Sequence, residues 1–227
     1  MGQALADAAV IAIGALLVNP LPVLAVILIL FSPRAGVTAP AFAAGWALGL
    51  AASLGLFLII VTLGEGAGTG RASAGLAPIA QLGLGLALLV LGLRRWLDRP
   101  PPGETKALPG WTDSLANASP LRALGLGAAF AGLNPKNVAF AAAAAFAIVE
   151  AGLRPGAMLL PLVVYVLIAS LGVAGPVAWR IADPERAAPK LAAWRGWLTA
   201  NYAAMMAVVF LLFGAALSAK GMAGLLG

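Results

Sequence analysis

Six stretches of this chain stay apolar for about twenty residues or longer, the length a helix needs to cross a bilayer. They run at about 4–31, 38–63, 76–94, 121–149, 155–179 and 197–219. The runs do not alternate with period two, which excludes a membrane β-barrel. Only 10% of the 227 residues are charged, against about 25% in a soluble domain. The expected fold class is an all-α membrane protein of six transmembrane helices.

The chain contains no cysteine and no histidine. Thiol redox chemistry, thiolate metal sites and imidazole proton relays are therefore excluded, and no metal or other cofactor is expected. The opening "MGQALADAAVIAIG" has no Lys or Arg ahead of its apolar run, so it reads as a poor signal peptide. Position 6 is Ala, where a myristoylation motif would place Ser or Thr. The net charge of +6 reads as membrane topology, not as nucleic-acid binding.

Basic residues set that topology. Arg34, Arg94, Arg95, Arg99, Lys106, Arg122, Arg180, Arg186, Lys190 and Arg195 fall in or beside the loops between spans one and two, three and four, and five and six. Arg71, Arg154 and Lys220 fall on the opposite side. This bias predicts both termini outside and the central loop in the cytoplasm. Trp96, Trp179, Trp194 and Trp197 cluster at the same span ends, as interfacial anchors do, and Trp46 lies toward that end too. The stretch "RIADPERAAPKLAAWRGW" separates spans five and six and suits a short amphipathic surface helix. The sequence divides into a first three-helix repeat at 1–95, a Pro-rich cytoplasmic loop at 96–120 and a second three-helix repeat at 121–227.

The repeat rests on two matching interruptions. Asn19-Pro20 lies within span one, in "LVNPLPV", and Asn134-Pro135 within span four, in "LNPKNV". Arg34 and Pro40 follow the first at intervals of 15 and 6; Arg154 and Pro161 follow the second at 20 and 7. Gln81 and Asn201 stand near the starts of spans three and six. Three spans per repeat would invert the second copy relative to the first, as in many secondary transporters. The competing account is that apolar helices look alike.

Proline in a helix interior costs about 3 kcal/mol, and lipid offers nothing to satisfy the backbone groups it frees. At the first helical position, preceded by an Asn cap, it fits well. Asn-Pro therefore predicts new helix starts at Pro20 and Pro135. Each of these spans is long enough, at about 42 Å, to hold a break and still cross a core of about 30 Å. Inverted repeats would bring two positive helix N-termini toward one place, which favours an anion. Lys136 adds a full charge, and each acidic residue lies in a loop or at a span end. An intramembrane charge marks a functional site by default. The candidate substrate site is Asn19, Pro20, Pro22, Asn134, Pro135, Lys136 and Asn137, with Arg34 at the cytoplasmic rim. The bland account makes each Asn-Pro a kink, with Lys136 uncharged, in a wet vestibule, or bonded to carbonyls at the break.

Other features weigh less. Gly45 and Gly49 form a GxxxG, and "AFAAAAAFA" at 139–147 gives span four a thin face; both suit close helix packing. Ser53, Thr62, Gln81, Tyr165, Asn201 and Tyr202 could line a pathway or cross-link helices. Asn117-Ala118-Ser119 matches a glycosylation motif but falls on the expected cytoplasmic side.

Taken together, "NPLPV" in span one, "SPRAG" after it, "NPK" in span four and the long central loop resemble the LysE superfamily of small exporters, over nearly the whole chain. Within it, the chain is most similar to the actinobacterial glycolipid-addressing branch, associated with glycopeptidolipid and sulfolipid delivery. LysE-type amino-acid exporters carry a Pro-Gly-Pro-like opening; Asn19-Pro20-Leu21-Pro22 stands here instead, which favours the lipid-addressing branch. The resemblance implies an inner-membrane secondary transporter or flippase, not an enzyme, exporting an anionic lipid-linked substrate. The alternative is export of an amino acid or another small anionic or zwitterionic solute; an aquaporin-like channel and a non-transporting assembly factor rank lower. With no buried Asp, Glu or His, the coupling candidates are Asp7, Glu65 and Glu150, or Lys136 itself. A homodimer is compatible with this reading.

Overall fold

The computed structural model describes residues 1–17, 19–67, 77–98, 115 and 118–226, with the side chains of 64–67, 77, 78, 80 and 81 excepted. Among the described residues the secondary structure is entirely helical. The helices are α1 (Gly2–Leu17), α2 (Pro20–Leu30), α3 (Ala35–Ala67), α4 (Ala77–Leu97), α5 (Pro120–Gly132), α6 (Pro135–Glu150), α7 (Leu159–Ala182) and α8 (Pro184–Leu226), with a 3₁₀ turn at Pro155–Met158 before α7. Three segments are long and apolar enough to cross a membrane: Ala35–Leu63, Pro155–Ala182 and Pro184–Leu226. Counting α1 with α2 and α5 with α6 as single bent spans brings the number to five. Where a sixth was expected stands α4, 21 residues long with Arg94 and Arg95 in its last turn. Most of the central loop, the start at Val18 and the side chains of Glu65 and Gln81 lie outside the described residues, as do Arg71, Arg99, Lys106 and Asn117.

The chain forms two compact units, and each draws on both halves of the sequence. One comprises Met1–Leu63 with Leu108–Arg195; the other comprises Gly64–Ala107 with Gly196–Gly227. In the first, α1 packs on α6 and α7, and α2 packs on α7. Ala4, Ala8, Ala12 and Ala15 recur at helical spacing on the buried face of α1. Small side chains there let helices approach closely, which matters in lipid because no hydrophobic force separates helix from hydrocarbon. In α2, Pro22 and Leu24 through Leu30 are all buried. A helix apolar on every face belongs in the middle of a bundle, and α2 occupies that place.

Backbone-to-backbone contact joins α3 to α5. A methyl group on Gly45 would collide with the Leu124 carbonyl, one on Gly49 with the Ala128 carbonyl, and one on Gly127 with the Phe42 carbonyl. The GxxxG of α3 is thus a packing device. It also buries Trp46, 1% exposed, and Phe42, whose ring stands edge-on to Phe130 with centroids 6.2 Å apart. Trp46 is a core residue, not an interfacial anchor, and its backbone lies against Gly127 of α5. Trp179 and Trp194 keep the peripheral role: their rings lie 5.9 Å apart, and Trp194 and Trp197 are exposed.

Three helices open on a capping residue followed by proline at the first position. Ser119 accepts from the Arg122 amide, Asn134 from the Lys136 amide, and Asp183 from the Arg186 amide. Such a cap is worth about 1 kcal/mol, and proline there loses no hydrogen bond. The Asp183 cap changes the expected organisation after span five. In place of a separate surface helix, α8 begins at Pro184 and continues through the last apolar run, with Pro189 inside it. In the second unit, Gly85 and Gly92 of α4 lie against Gly214, Ala207 and Leu211 of α8, again at distances that exclude a side chain.

Candidate functional site

The interruptions at Asn19-Pro20 and Asn134-Pro135 are sharp bends: α1 and α2 meet at 65°, α5 and α6 at 63°. Every backbone group released at such a bend in an apolar bundle needs a partner, and accounting for them defines the site.

At the second bend the last regular bond runs from the Leu133 amide to the Ala129 carbonyl. The next three carbonyls, of Phe130, Ala131 and Gly132, lose their helical donors; Pro135 has no N–H, and the Lys136 amide turns instead to the Asn134 side chain at 3.1 Å. Asn137 restores two of the three, donating from Nδ2 to the Phe130 carbonyl at 3.3 Å and the Ala131 carbonyl at 3.1 Å. Ser53 of α3 restores the third, from its hydroxyl to the Gly132 carbonyl at 3.3 Å.

At the first bend the Asn19 amide moves to the Leu16 carbonyl, at 3.4 Å, because Pro20 cannot serve it. The Ala15 carbonyl, left over, accepts from Asn19 Nδ2 at 2.9 Å. The same Nδ2 donates to Asn137 Oδ1 at 2.6 Å, across 118 residues of chain. Asn19 thus does not cap α2 as expected; its side chain points back into α1 and across to α6. Its Oδ1 is buried without a hydrogen-bond partner.

The two bends therefore meet, with Asn19 and Asn137 as the contact. Asn19 is 6% exposed and Asn137 fully buried. Pro22 is buried, Asn134, Lys136 and Pro20 are half-buried, and Pro135 is exposed. Arg34 is not brought to this place. It is exposed, beyond all 11 residues of α2, a helix about 16 Å long. Asp7 and Glu150 lie away from it in the other direction. Because Gly14 faces Phe140 and Asn19 bonds Asn137, α1 runs antiparallel to α6, and Asp7 and Glu150 share one end of that pair. The Glu65 side chain lies outside the described residues.

Two contributors carry little signal in the sequence. Gly172 of α7 lies where a methyl group would come 2.9 Å from Leu16 and 3.2 Å from Val23, one residue on each side of the first bend. Ser53, read as either a pathway or a cross-linking residue, is the donor to the Gly132 carbonyl. Asn201 bonds locally, to the Trp197 carbonyl at 2.8 Å. Tyr165 is fully buried, its hydroxyl without a partner. Among the described residues no three His, Cys, Asp or Glu side chains gather where a metal ion could be held.

A family profile described as Sap, sulfolipid-1-addressing protein, matches residues 9–223. The chain belongs to the sulfolipid-1-addressing protein family. No curated protein and no solved structure matches it. The family match includes both Asn-Pro bends, Lys136, the whole of α2 to α7 and most of α8, and the second half of α1. In this sulfolipid-1-addressing family member, polar side chains of the membrane bundle converge where two helices bend, the feature that a polar ligand inside a bilayer would need.

Proposed function

We propose that this protein is an inner-membrane secondary transporter or flippase that moves an anionic lipid-linked substrate outward. The observation that carries the reading is the meeting of two bent helices at Asn19 and Asn137, with Lys136 on the first turn of α6. Bent or broken helices at the centre of a bundle are the usual place for a transporter's site. The helix start at Pro135 contributes a partial positive charge, and Lys136 a full one. A sulfolipid, the class named in the family description, carries the anion that such a place would favour.

The packing supports an inverted repeat of two three-helix halves. In such a repeat α1 corresponds to α5 and α3 to α7. The first arm of each bent pair packs on the second span of the other half: α1 on α7 and α5 on α3. The third spans belong together in the second unit, α4 with the later part of α8. Six spans, and a place in the wider LysE superfamily, follow on this reading.

Reconstitution in vesicles tests it. Wild-type protein should move a labelled anionic glycolipid between leaflets, and Lys136→Ala should slow this by about tenfold or more, the worth of a charge-assisted contact. Movement of labelled amino acid without lipid would favour export of small solutes. Lipid movement that is indifferent to Lys136→Ala would sink the central site.

A further inference from the structure

Away from the bends, the outer part of α3 and the start of α7 enclose a groove of about 380 Å³. Gly55, Leu58, Ile59 and Thr62 line one wall, Pro155, Met158 and Leu162 the other. Apart from the Thr62 hydroxyl the lining side chains are apolar. Both walls belong to segments apolar enough to span the membrane, and Leu56, Ile60, Leu160 and Val163, next to lining residues along the two helices, are exposed. The medium that reaches this groove is hydrocarbon.

Gly55 differs from Gly45 and Gly49 of the same helix. Gly45 and Gly49 are covered by α5, with no room for a methyl group. A side chain at Gly55 would meet nothing within 4 Å. Among the described residues, nothing fills the space that this glycine leaves. Arg154, exposed, immediately precedes Pro155 of the lining, so a cation adjoins the apolar slot along the chain.

We propose that this groove binds one acyl chain of an anionic membrane lipid, with the head group at Arg154. The volume lies at the low end of ligand sites, roughly 300–1,000 Å³, which suits one chain and not a whole glycolipid. Apolar walls recognise the chain, and Arg154 supplies complementarity to the head group. This deepens the transport reading and rests on it for one point only: with the basic loops inside, the groove opens to the outer leaflet and is a station for the lipid after its passage.

The test is photolabelling of the full chain in lipid nanodiscs. The probe is phosphatidylglycerol with a diazirine in its acyl chain, compared with the matching phosphatidylcholine, and the labelled peptides are mapped by mass spectrometry. Label is expected at 55–63 and 155–162 in excess over the exposed Leu167 and Leu171 surface of α7. Each buried methylene is worth about fourfold in affinity, so Gly55→Phe, displacing two, should cut that label by about fifteenfold. Arg154→Gln should lower phosphatidylglycerol labelling to the phosphatidylcholine level and leave the latter unchanged. If Gly55→Phe does not fold, Thr62→Phe fills the same groove from an exposed position. Uniform labelling of the lipid-facing surface, label unchanged in a folded groove-filling variant, or cross-links between two copies of the chain at these residues would each overturn the proposal. Groove label retained by wild-type protein that moves no lipid would support the groove and defeat the transport reading alone.

Discussion

The side-chain amide of Asn19 donates to the side-chain oxygen of Asn137 at 2.6 Å and, from the same nitrogen, to the Ala15 carbonyl. One residue thereby closes the bend between α1 and α2 and ties it to the bend between α5 and α6. Asn137 does the reciprocal work, its own amide serving the Phe130 and Ala131 carbonyls.

Asn137 is accordingly the more costly of the two to lose. Asn137→Leu orphans two buried carbonyls and the Asn19 donor, and should lower stability by about 2–4 kcal/mol. Asn19→Ala should cost less, about 1–2 kcal/mol, since it also removes a buried Oδ1 that has no partner. A double-mutant cycle read by unfolding in detergent should give a coupling of about 0.6–1.7 kcal/mol, the range of hydrogen bonds between membrane helices. Strict additivity would contradict the direct bond.

The two Asn-Pro bends should respond differently to loss of a cap. Asn134→Ala leaves the Lys136 amide without its acceptor and should cost about 1 kcal/mol, which Asn134→Asp or Asn134→Ser should largely restore. Asn19 donates and does not cap, so Asn19→Ser should fail to restore what Asn19→Ala loses. Thermal unfolding of the five variants checks this.

Glycines of α3 and α5 fall into two classes. Gly127→Val pushes a side chain into the Phe42 carbonyl and should destabilise by about 3 kcal/mol or more, with loss of the buried Trp46 environment seen in its fluorescence. Gly125→Ala adds a methyl group where nothing lies within 4 Å and should stabilise by about 0.5–1 kcal/mol, the helix propensity difference.

Tyr165 buries a hydroxyl that finds no partner. Tyr165→Phe should therefore leave stability unchanged or raise it by about 1 kcal/mol. If the same variant slows lipid movement in vesicles, the hydroxyl serves the substrate; if it does not, Tyr165 is packing alone.

Lys136 and Arg34 should separate in transport. Lys136 belongs to the first turn of α6 beside the two bends, whereas Arg34 stands beyond the far end of α2. Lys136→Gln should slow lipid movement by about tenfold or more, and Arg34→Gln by about twofold or less, in line with an exposed charge screened by salt. Equal losses in the two variants would argue for an extended basic track in place of a central site.

Much of the organisation was legible before any coordinates. Helix starts at Pro20 and Pro135 follow from proline's lost donor and its fit at the first helical position, both local properties. The packing role of Gly45 and Gly49 follows from their spacing of four. Illegible was whatever depends on which helix lies opposite. Trp46 looked interfacial by its place along the chain, but the tertiary packing buries it. Asn19 and Asn134 look equivalent in sequence, yet one donates across to Asn137 and the other caps its own helix.

The amino-acid sequence by itself determined that this is a helical membrane protein of the sulfolipid-1-addressing family with two helices that cannot run straight. Composition and local backbone chemistry suffice for that, since each proline removes its own hydrogen bond wherever the chain goes. Tertiary structure alone decided that the bends meet, that Asn137 and Ser53 supply the missing donors, and that Gly55 leaves a hollow while Gly45 and Gly49 leave none. The same residue type in the same helix takes opposite roles there, because its role is set by the atoms that face it and not by its neighbours in sequence.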